Sequence, residues 1–211
     1  MRSATYERFA GLCAIAVAVG GLVYSIAFMT NLKTGNVSAG KVAAVVLMGG
    51  GILSLVVMVA IYGLVRDVDA DFARLGLLLA TLGALGSTVH GGSDLARFLH
   101  KVSQPLPKGL GDLPNAVDPR GLLTFAMSGL ALVVFGFLLV RTPSIPVRLG
   151  QVGFVAGGLL VIVYLGRLII LNPKNPVVLA VASASGFLAG PGFFVWLGLV
   201  LRRGAARSGP A

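Results

Sequence analysis

Charged side chains are scarce in this chain of 211 residues. Asp, Glu, Lys and Arg make up 11% of it, and hydrophobic residues make up 56%. Soluble domains carry about 25% charged residues, and the mean hydropathy of this chain is +0.94. So few charges cannot cover a folded surface in water, and lipid is therefore the expected solvent for most of the chain.

Cysteine and histidine are also rare, with one cysteine, Cys13, and two histidines, His90 and His100. A single cysteine excludes an internal disulfide and a cysteine metal cluster. The two histidines are about 15 Å apart along a helix axis, so they cannot bind one ion or one haem together. No nucleophile motif, phosphate-binding loop or dinucleotide fingerprint is visible. We expect no metal and no cofactor.

Acidic residues are few, which leaves a net charge of +10. In a soluble protein this charge would suggest nucleic acid as a partner. Here the basic residues lie almost entirely in the breaks between apolar runs, where they indicate contact with lipid headgroups. Membrane lipids are the expected partners, and nucleic acid is not.

Six apolar runs are long enough to cross a membrane as helices of about 20 residues. Five of the six lack the alternation of a membrane strand, and Asp118-Pro119 is a typical start for the fourth helix. We predict an all-α polytopic membrane protein, one domain containing a bundle of six transmembrane helices. The runs are Arg8–Thr30, Lys41–Val65, Phe72–Phe98, Gly121–Val140, Leu149–Leu171 and Val177–Leu201.

Six spans place both termini on one side of the membrane. Basic residues in the connections are almost evenly divided between the two sides. If Arg97 and Arg167 lie within helices rather than loops, the remaining excess is on the side of the termini. The positive-inside rule then predicts cytoplasmic termini.

Small residues recur with helical spacing in the last two runs. "GFVAGG" (153–158) pairs Gly153 with Gly157, and "GFLAGPG" (186–192) pairs Gly186 with Gly190. Lipid provides no hydrophobic drive between helices, so close packing through small residues holds them together. These pairs predict close helix contacts, within the chain or with other membrane proteins.

The third run ends in "TVHGGSDLARFLHK" (88–101), an unusual concentration of ionisable groups. At 100° per residue, His90, Asp94 and Arg97 fall within an arc of about 60° on one helix face. His100 lies about 80° to one side of His90. The third helix therefore carries a polar stripe in its last turns.

An aspartate at the centre of a spanning helix costs about 3 kcal/mol, and the third run has few large aliphatic residues to offset it. Asp94 therefore needs either the interface or a partner. Arg167 lies at a matching depth on the fifth run, with Tyr164 one turn deeper. We predict an ion pair between Asp94 and Arg167, either structural or part of a functional site.

The longest connection, "VSQPLPKGLGDLPNAVDP" (102–119), is rich in proline and is predicted to be a structured loop. It is either a lid or docking surface over the polar stripe or a stiff return between helices. "HGGSDL" followed by "DLPNAVDPRGLLTF" resembles uncharacterised bacterial six-helix membrane proteins. The resemblance implies a bacterial cytoplasmic membrane and six spans, but no activity. The positions that match are His90, Asp94, Asp112, Asp118 and Arg120.

Three functions fit these features. The first is a non-catalytic accessory subunit that packs against other membrane proteins, or against itself, through glycine-rich faces. The second is a small-solute or proton-linked carrier, or a ligand-binding membrane protein, that uses His90, Asp94 and Arg167. Histidine suits proton-linked work because its ordinary pKa is close to neutrality. The third is an intramembrane enzyme acting on lipids, a hypothesis that only His90 and Asp94 support. We favour the subunit, and the sequence leans against an enzyme.

Overall fold

The computed structural model describes residues 3–100, 117–170, 172 and 175–207, without the side chains of residues 100 and 205–207. Every regular element within these ranges is helical, and six spans are long and apolar enough to cross a membrane. The predicted all-α membrane bundle of six helices is confirmed. The predicted loop at 102–119, with Asp112, lies outside the described residues except at its last three positions.

Four of the spans are single helices, and each of the other two contains a π-helical segment. The first three spans are α1 (Ala4–Thr34), α2 (Val37–Val65) and α3 (Ala70–His100), and the fifth is α5 (Val147–Ile170). The fourth comprises a 3₁₀ turn (Pro119–Gly121), a π-helical segment (Leu122–Met127) and α4 (Ser128–Val140). The sixth comprises α6 (Pro176–Ser183), a second π-helical segment (Ala184–Ala189) and α7 (Gly190–Arg207).

The first two helices begin four residues before the predicted bounds because polar side chains cap them. Ser3 Oγ accepts a hydrogen bond from the Tyr6 N–H at 3.4 Å, and Asn36 Oδ1 accepts one from the Ala39 N–H at 3.0 Å. Gly35 ends α1 with a φ of 68°, a conformation that glycine adopts without a steric cost. These caps satisfy backbone groups that would otherwise need water, so both helices extend into the interface.

Adjacent helices approach so closely that their backbones touch. The pair α4 and α5 is typical: a Cβ added at Gly136 would lie 2.6 Å from the Phe154 nitrogen and 2.8 Å from the Gly150 oxygen. A Cβ at Gly157 would lie 2.5 Å from the Gly129 oxygen. Glycine is required at these contacts because no side chain fits between the helices. Packing through small residues thus supplies the contacts that the hydrophobic effect cannot supply in lipid.

The other glycines of the two predicted pairs also face neighbours within this chain. A Cβ at Gly153 would meet the Phe193 ring at 2.7 Å, and one at Gly186 would meet the Ser25 hydroxyl at 2.5 Å. Gly190 faces a carbonyl of its own span, that of residue 185, at 3.0 Å. Gly153, Gly157 and Gly186 therefore pack against other helices of the bundle, whereas Gly158 and Gly192 in the same stretches have no heavy atom of the described residues within 4 Å.

The order of the spans leaves a space in the middle of the bundle. The first span packs along α2 and α7, α2 packs along α3, and α4 packs along α5. Large aliphatic side chains cover the outer surface, as at Leu78, Ile169 and Leu188, which are more than half exposed without lipid. Such residues face acyl chains in a membrane. The candidate site lies in the interior of the bundle, where all six spans contribute residues.

Candidate ligand-binding site

A partly enclosed cavity of about 480 Å³ lies between the helices, and all six spans contribute to its wall. This volume is in the range of small-molecule sites, about 300–1,000 Å³. Its apolar wall includes Met58 on α2, Leu132 on α4, Leu160 on α5 and Phe194 on α7. An apolar molecule bound in the cavity would therefore be more closely enclosed than one in the lipid outside the bundle.

Three of the hydroxyls in the wall are satisfied by the helices that carry them. The hydroxyls of Ser25, Ser54 and Ser87 donate to backbone carbonyls of their own helices, at 2.8, 2.8 and 3.0 Å. Such local hydrogen bonds leave little donor capacity for a ligand. Of the described residues that line the cavity, Arg167 is the only one with a formal charge.

Arg167 reaches the cavity from the last turn of α5. Its guanidinium carbon lies 4.9 Å from the centre of the Phe125 ring, which is a cation–π distance. No carboxylate of the described residues lies within salt-bridge distance of it. Tyr24 of α1 lines the same cavity and is close enough to interact with Arg167 electrostatically.

Arg120 and Gly121 hold the start of the fourth span against the end of α5. Arg120 donates from Nη1 to the backbone carbonyl of Arg167 at 2.9 Å, and so caps one of the unpaired carbonyls at the end of α5. Its φ of 63° is in the left-handed region, where a side chain carries strain. Gly121 has a φ of 76°, and a Cβ there would meet the Phe125 ring at 2.2 Å and Arg167 Nη1 at 3.2 Å.

Both π-helical segments contribute to the cavity wall. The first contributes Thr124 and Phe125, and the second contributes Ser185, Gly186 and Phe187. A π-helical turn widens the helix by one residue and is often found at functional sites. In the sixth span the π-helical segment ends two residues before a proline, which lacks the N–H needed for a regular turn. The span changes its hydrogen-bonding pattern here but does not break.

A chain of ionisable groups lies behind this wall. His90 is 5% exposed, and its Nε2 lies 3.5 Å from Asp94 Oδ2 while its Nδ1 lies 3.4 Å from Asp118 Oδ2. A neutral imidazole donates to only one of the two carboxylates, whereas the doubly protonated ring donates to both. Arg97 closes the chain through an ion pair with Asp94. Thr124 connects this chain to the cavity, because its Oγ1 lies 3.4 Å from His90 Nδ1.

Asp118 is the most buried member of the chain, at 2% exposure. Its carboxylate accepts backbone N–H groups of Leu123 at 2.9 Å and of Thr124 at 3.0 Å. Burial alone would raise the pKa of Asp118. Hydrogen bonds from His90, Thr124 and these two N–H groups outweigh it and hold that pKa well below its usual range. The predicted cap is thus present, but it serves the π-helical turn rather than the 3₁₀ turn.

The predicted ion pair between Asp94 and Arg167 does not form within salt-bridge distance among the described residues, and the two groups interact electrostatically only at longer range. Asp94 is paired with His90 and Arg97 of its own helix instead. Groups at i and i+3 or i+4 on a helix are already neighbours, so the carboxylate is satisfied locally. The structure brings together His90, Asp94, Arg97 and Asp118, and it places Arg167 with Arg120.

Three side chains of types that bind metals, His90, Asp94 and Asp118, meet in this chain of ionisable groups, but they do not converge on one point. The two ring nitrogens of His90 point in opposite directions, one to Asp94 and the other to Asp118. Within the described ranges, no three His, Cys, Asp or Glu side chains are grouped around a common site for an ion. The geometry is that of a line of side-chain contacts from Arg97 through Asp94 and His90 to Asp118.

Three residues of the site, Tyr24, Phe125 and Thr124, were not predicted from the sequence. Gly121 and Pro191, which lie beside the two π-helical segments, were signals of irregular helix geometry. No local signal identified Tyr24. Tyr164 was predicted to lie in the cluster and is not among the residues that line the cavity. The side chain of His100 lies outside the described residues. No family model, curated protein or solved structure matches this chain.

Proposed function

We propose that this integral membrane protein binds a small, largely apolar molecule inside the bilayer, in the cavity between its helices. One observation carries the proposal: among the described residues, an apolar cavity of about 480 Å³ has a single charged side chain at its wall. Ionisable residues inside a membrane face the bundle interior and often mark the path or site of a substrate. Of the functions that fit the sequence, this is the ligand-binding alternative.

The accessory-subunit hypothesis gains no support from the paired glycines, because Gly153, Gly157 and Gly186 pack against Phe193, the α4 backbone and Ser25 of the same chain. It stays a prediction. The location in a bacterial cytoplasmic membrane, with cytoplasmic termini and lipid contacts around the bundle, is likewise part of the proposal.

Two neighbouring glycines offer a test of the cavity. A Cβ added at Gly50 or at Gly49 would have no heavy atom of the described residues within 4 Å, so a side chain is tolerated at both. Only Gly50 lines the cavity. Gly50→Leu is therefore expected to fill the site, and Gly49→Leu is the matched control with the same change in composition and helix propensity.

The measurement is thermal unfolding of the purified protein with alkanols of increasing length. A ligand that binds only the folded state raises the midpoint of unfolding. We expect a length-dependent rise in the wild type and in Gly49→Leu, and none in Gly50→Leu. An equal rise in all three proteins would show that the alkanols bind elsewhere, and the proposal would fall.

A proton-linked carrier is a second candidate, favoured by the contact of Thr124 with His90. Thr124 lines the cavity, and His90 faces Asp94 and Asp118 on its two sides. A change in the proton held by His90 would therefore be felt at the cavity wall. Ligand uptake into proteoliposomes under an imposed pH gradient tests this: His90→Gln should retain ligand binding but lose the response to the gradient. A gradient response unchanged in His90→Gln would exclude this version.

A further inference from the structure

The polar end of the cavity is composed of hydrogen-bond donors. Arg167 carries five N–H groups and Tyr24 one O–H. Among the described residues, neither side chain has a hydrogen bond or an ion pair, apart from the contact of Arg167 with the Phe125 ring. None of the described residues that line the cavity carries a carboxylate. The complement of such a wall is an acceptor with one negative charge.

The apolar part of the cavity extends away from Arg167 along α5. Val163, Leu160 and Ala156 follow Arg167 down the wall. Ala156 is eleven residues from Arg167, which is about 16 Å along a helix axis. Met58 and Phe194 also line the apolar wall. The cavity is therefore elongated, with its charge nearer one end.

The charge at that end has a cost that a ligand can offset. An arginine within a membrane span is unfavourable on insertion scales. Arg167 has no carboxylate partner among the described residues, and its guanidinium geometry matches a carboxylate in a two-pronged hydrogen bond. A bound carboxylate would supply the missing partner, and Tyr24 could donate to the same group.

We infer that the cavity binds a single-chain amphiphile with one negative charge, of the fatty-acid class. Its carboxylate lies against Arg167 and Tyr24, and its alkyl chain runs toward Ala156 and Phe194. This inference rests on the proposed function, since it names the class of ligand for the same cavity.

The test uses two photoreactive probes that differ only in the head group. Dodecanoate and dodecanol, each with a diazirine on the terminal carbon, are added to the full chain in nanodiscs of phosphatidylcholine. Labelled peptides are identified by mass spectrometry. Labelling of peptides that line the cavity is divided by labelling of the outer surface around Leu78, which corrects for the different partition of the two probes into lipid.

Arg167→Gln removes the charge and keeps a polar, though shorter, side chain. The backbone carbonyl that accepts from Arg120 remains, and no ion pair among the described residues is lost, so the variant should fold. Its labelling by the dodecanol probe checks this independently. Gly50→Leu is the variant that fills the cavity. Gly49→Leu is the control that leaves the cavity open.

In the wild type we expect cavity labelling by dodecanoate to exceed that by dodecanol roughly tenfold, as one charge-assisted pair would give. In Arg167→Gln the ratio should fall to about one while dodecanol labelling persists. Gly50→Leu should remove labelling by both probes, and Gly49→Leu by neither.

Two failures are distinguishable. A ratio near one in the wild type, with labelling still abolished by Gly50→Leu, overturns the fatty-acid class and leaves the proposed function standing. If neither probe labels the cavity, or if Gly50→Leu does not reduce the labelling, both the fatty-acid class and the proposed function are overturned. Adding phosphatidylglycerol to the discs separates a free fatty acid from a lipid head group. Labelling by dodecanoate should not change, and a loss that depends on Arg167 would assign the site to a phospholipid instead.

Discussion

Asp118 Oδ2 lies 3.4 Å from His90 Nδ1, so a residue just before the fourth span is joined to the polar stripe on the third. The same side chain accepts the backbone N–H groups of Leu123 and Thr124. One buried carboxylate thus connects α3 to the π-helical turn that forms part of the cavity wall. Substitution of Asp118 should therefore affect both α3 and the π-helical turn.

Asp118→Ala should be strongly destabilising. It leaves the backbone N–H groups of Leu123 and Thr124, and Nδ1 of His90, without their acceptor. Breaking a buried, hydrogen-bonded charge pair from one side costs about 3–5 kcal/mol, and we expect a loss in the free energy of unfolding of that order. Asp71→Ala is the control, because Asp71 forms an ion pair with Arg74 but its side chain is 90% exposed. Unfolding by denaturant in mild detergent measures both, and equal small losses would contradict the structural role of Asp118.

Low pH should remove the stabilisation that the ionised carboxylate of Asp118 provides. The pKa of Asp118 in the folded protein is lower than in the unfolded chain, where it is about 3.9, so folding favours the ionised form. The stabilisation is complete above the unfolded pKa and is lost as pH falls from there toward the folded pKa. Asp118→Asn has no such charge to lose. We expect the stability difference between wild type and Asp118→Asn to shrink as pH is lowered from about 6 to about 3. A difference independent of pH would show that Asp118 is not held ionised.

The spans were predictable because their signal is composition. Each apolar run is long enough to cross a bilayer, and this requirement does not depend on what the run packs against. The precise ends were missed because they depend on single side chains: Ser3 and Asn36 cap helices that the apolar pattern alone would start later.

The composition of the candidate site was only partly predictable. His90, Asp94 and Arg97 share a helix face, so their proximity follows from helical spacing. The pairing of Asp118 with His90 could not be deduced, because the path of the chain between them is not encoded in any periodicity. The same holds for Tyr24, which reaches the cavity only through the way α1 packs along its neighbours.

Gly157→Ala and Gly158→Ala form a matched pair for the packing of α5. A Cβ at Gly157 would lie 2.5 Å from the Gly129 oxygen and 2.7 Å from the Val133 nitrogen, and backbone atoms cannot give way. At Gly158 no heavy atom of the described chain lies within 4 Å. We expect Gly157→Ala to lower the free energy of unfolding by about 1–3 kcal/mol, as overpacking does. Gly158→Ala should be neutral or raise it by up to about 1 kcal/mol, through helix propensity. Similar losses in both would contradict the close approach of α4 and α5.

Substitutions at Arg120 separate backbone strain from the hydrogen bond of its side chain. Arg120→Ala loses the bond to the Arg167 carbonyl and keeps a Cβ in the left-handed region. Arg120→Gly loses the bond but also the strain, which is about 1–2 kcal/mol for such a residue. We therefore expect Arg120→Gly to be more stable than Arg120→Ala by about 1 kcal/mol. The reverse order in thermal unfolding would show that residue 120 does not adopt a positive φ in the membrane.

A double-mutant cycle distinguishes the local pairing of Asp94 from the predicted pairing with Arg167. Asp94 contacts His90 and Arg97, and Arg167 is not within salt-bridge distance of it among the described residues. Groups that share no direct contact give nearly additive effects, within about 0.5 kcal/mol. We expect Asp94→Asn and Arg167→Leu to be additive in the free energy of unfolding. Asp94→Asn and His90→Gln should instead show a coupling of at least about 1 kcal/mol, because each removes the partner of the other. Coupling in the first pair and additivity in the second would mean that α5, not α3, supplies the partner of Asp94, and would require a different arrangement of charge at the cavity.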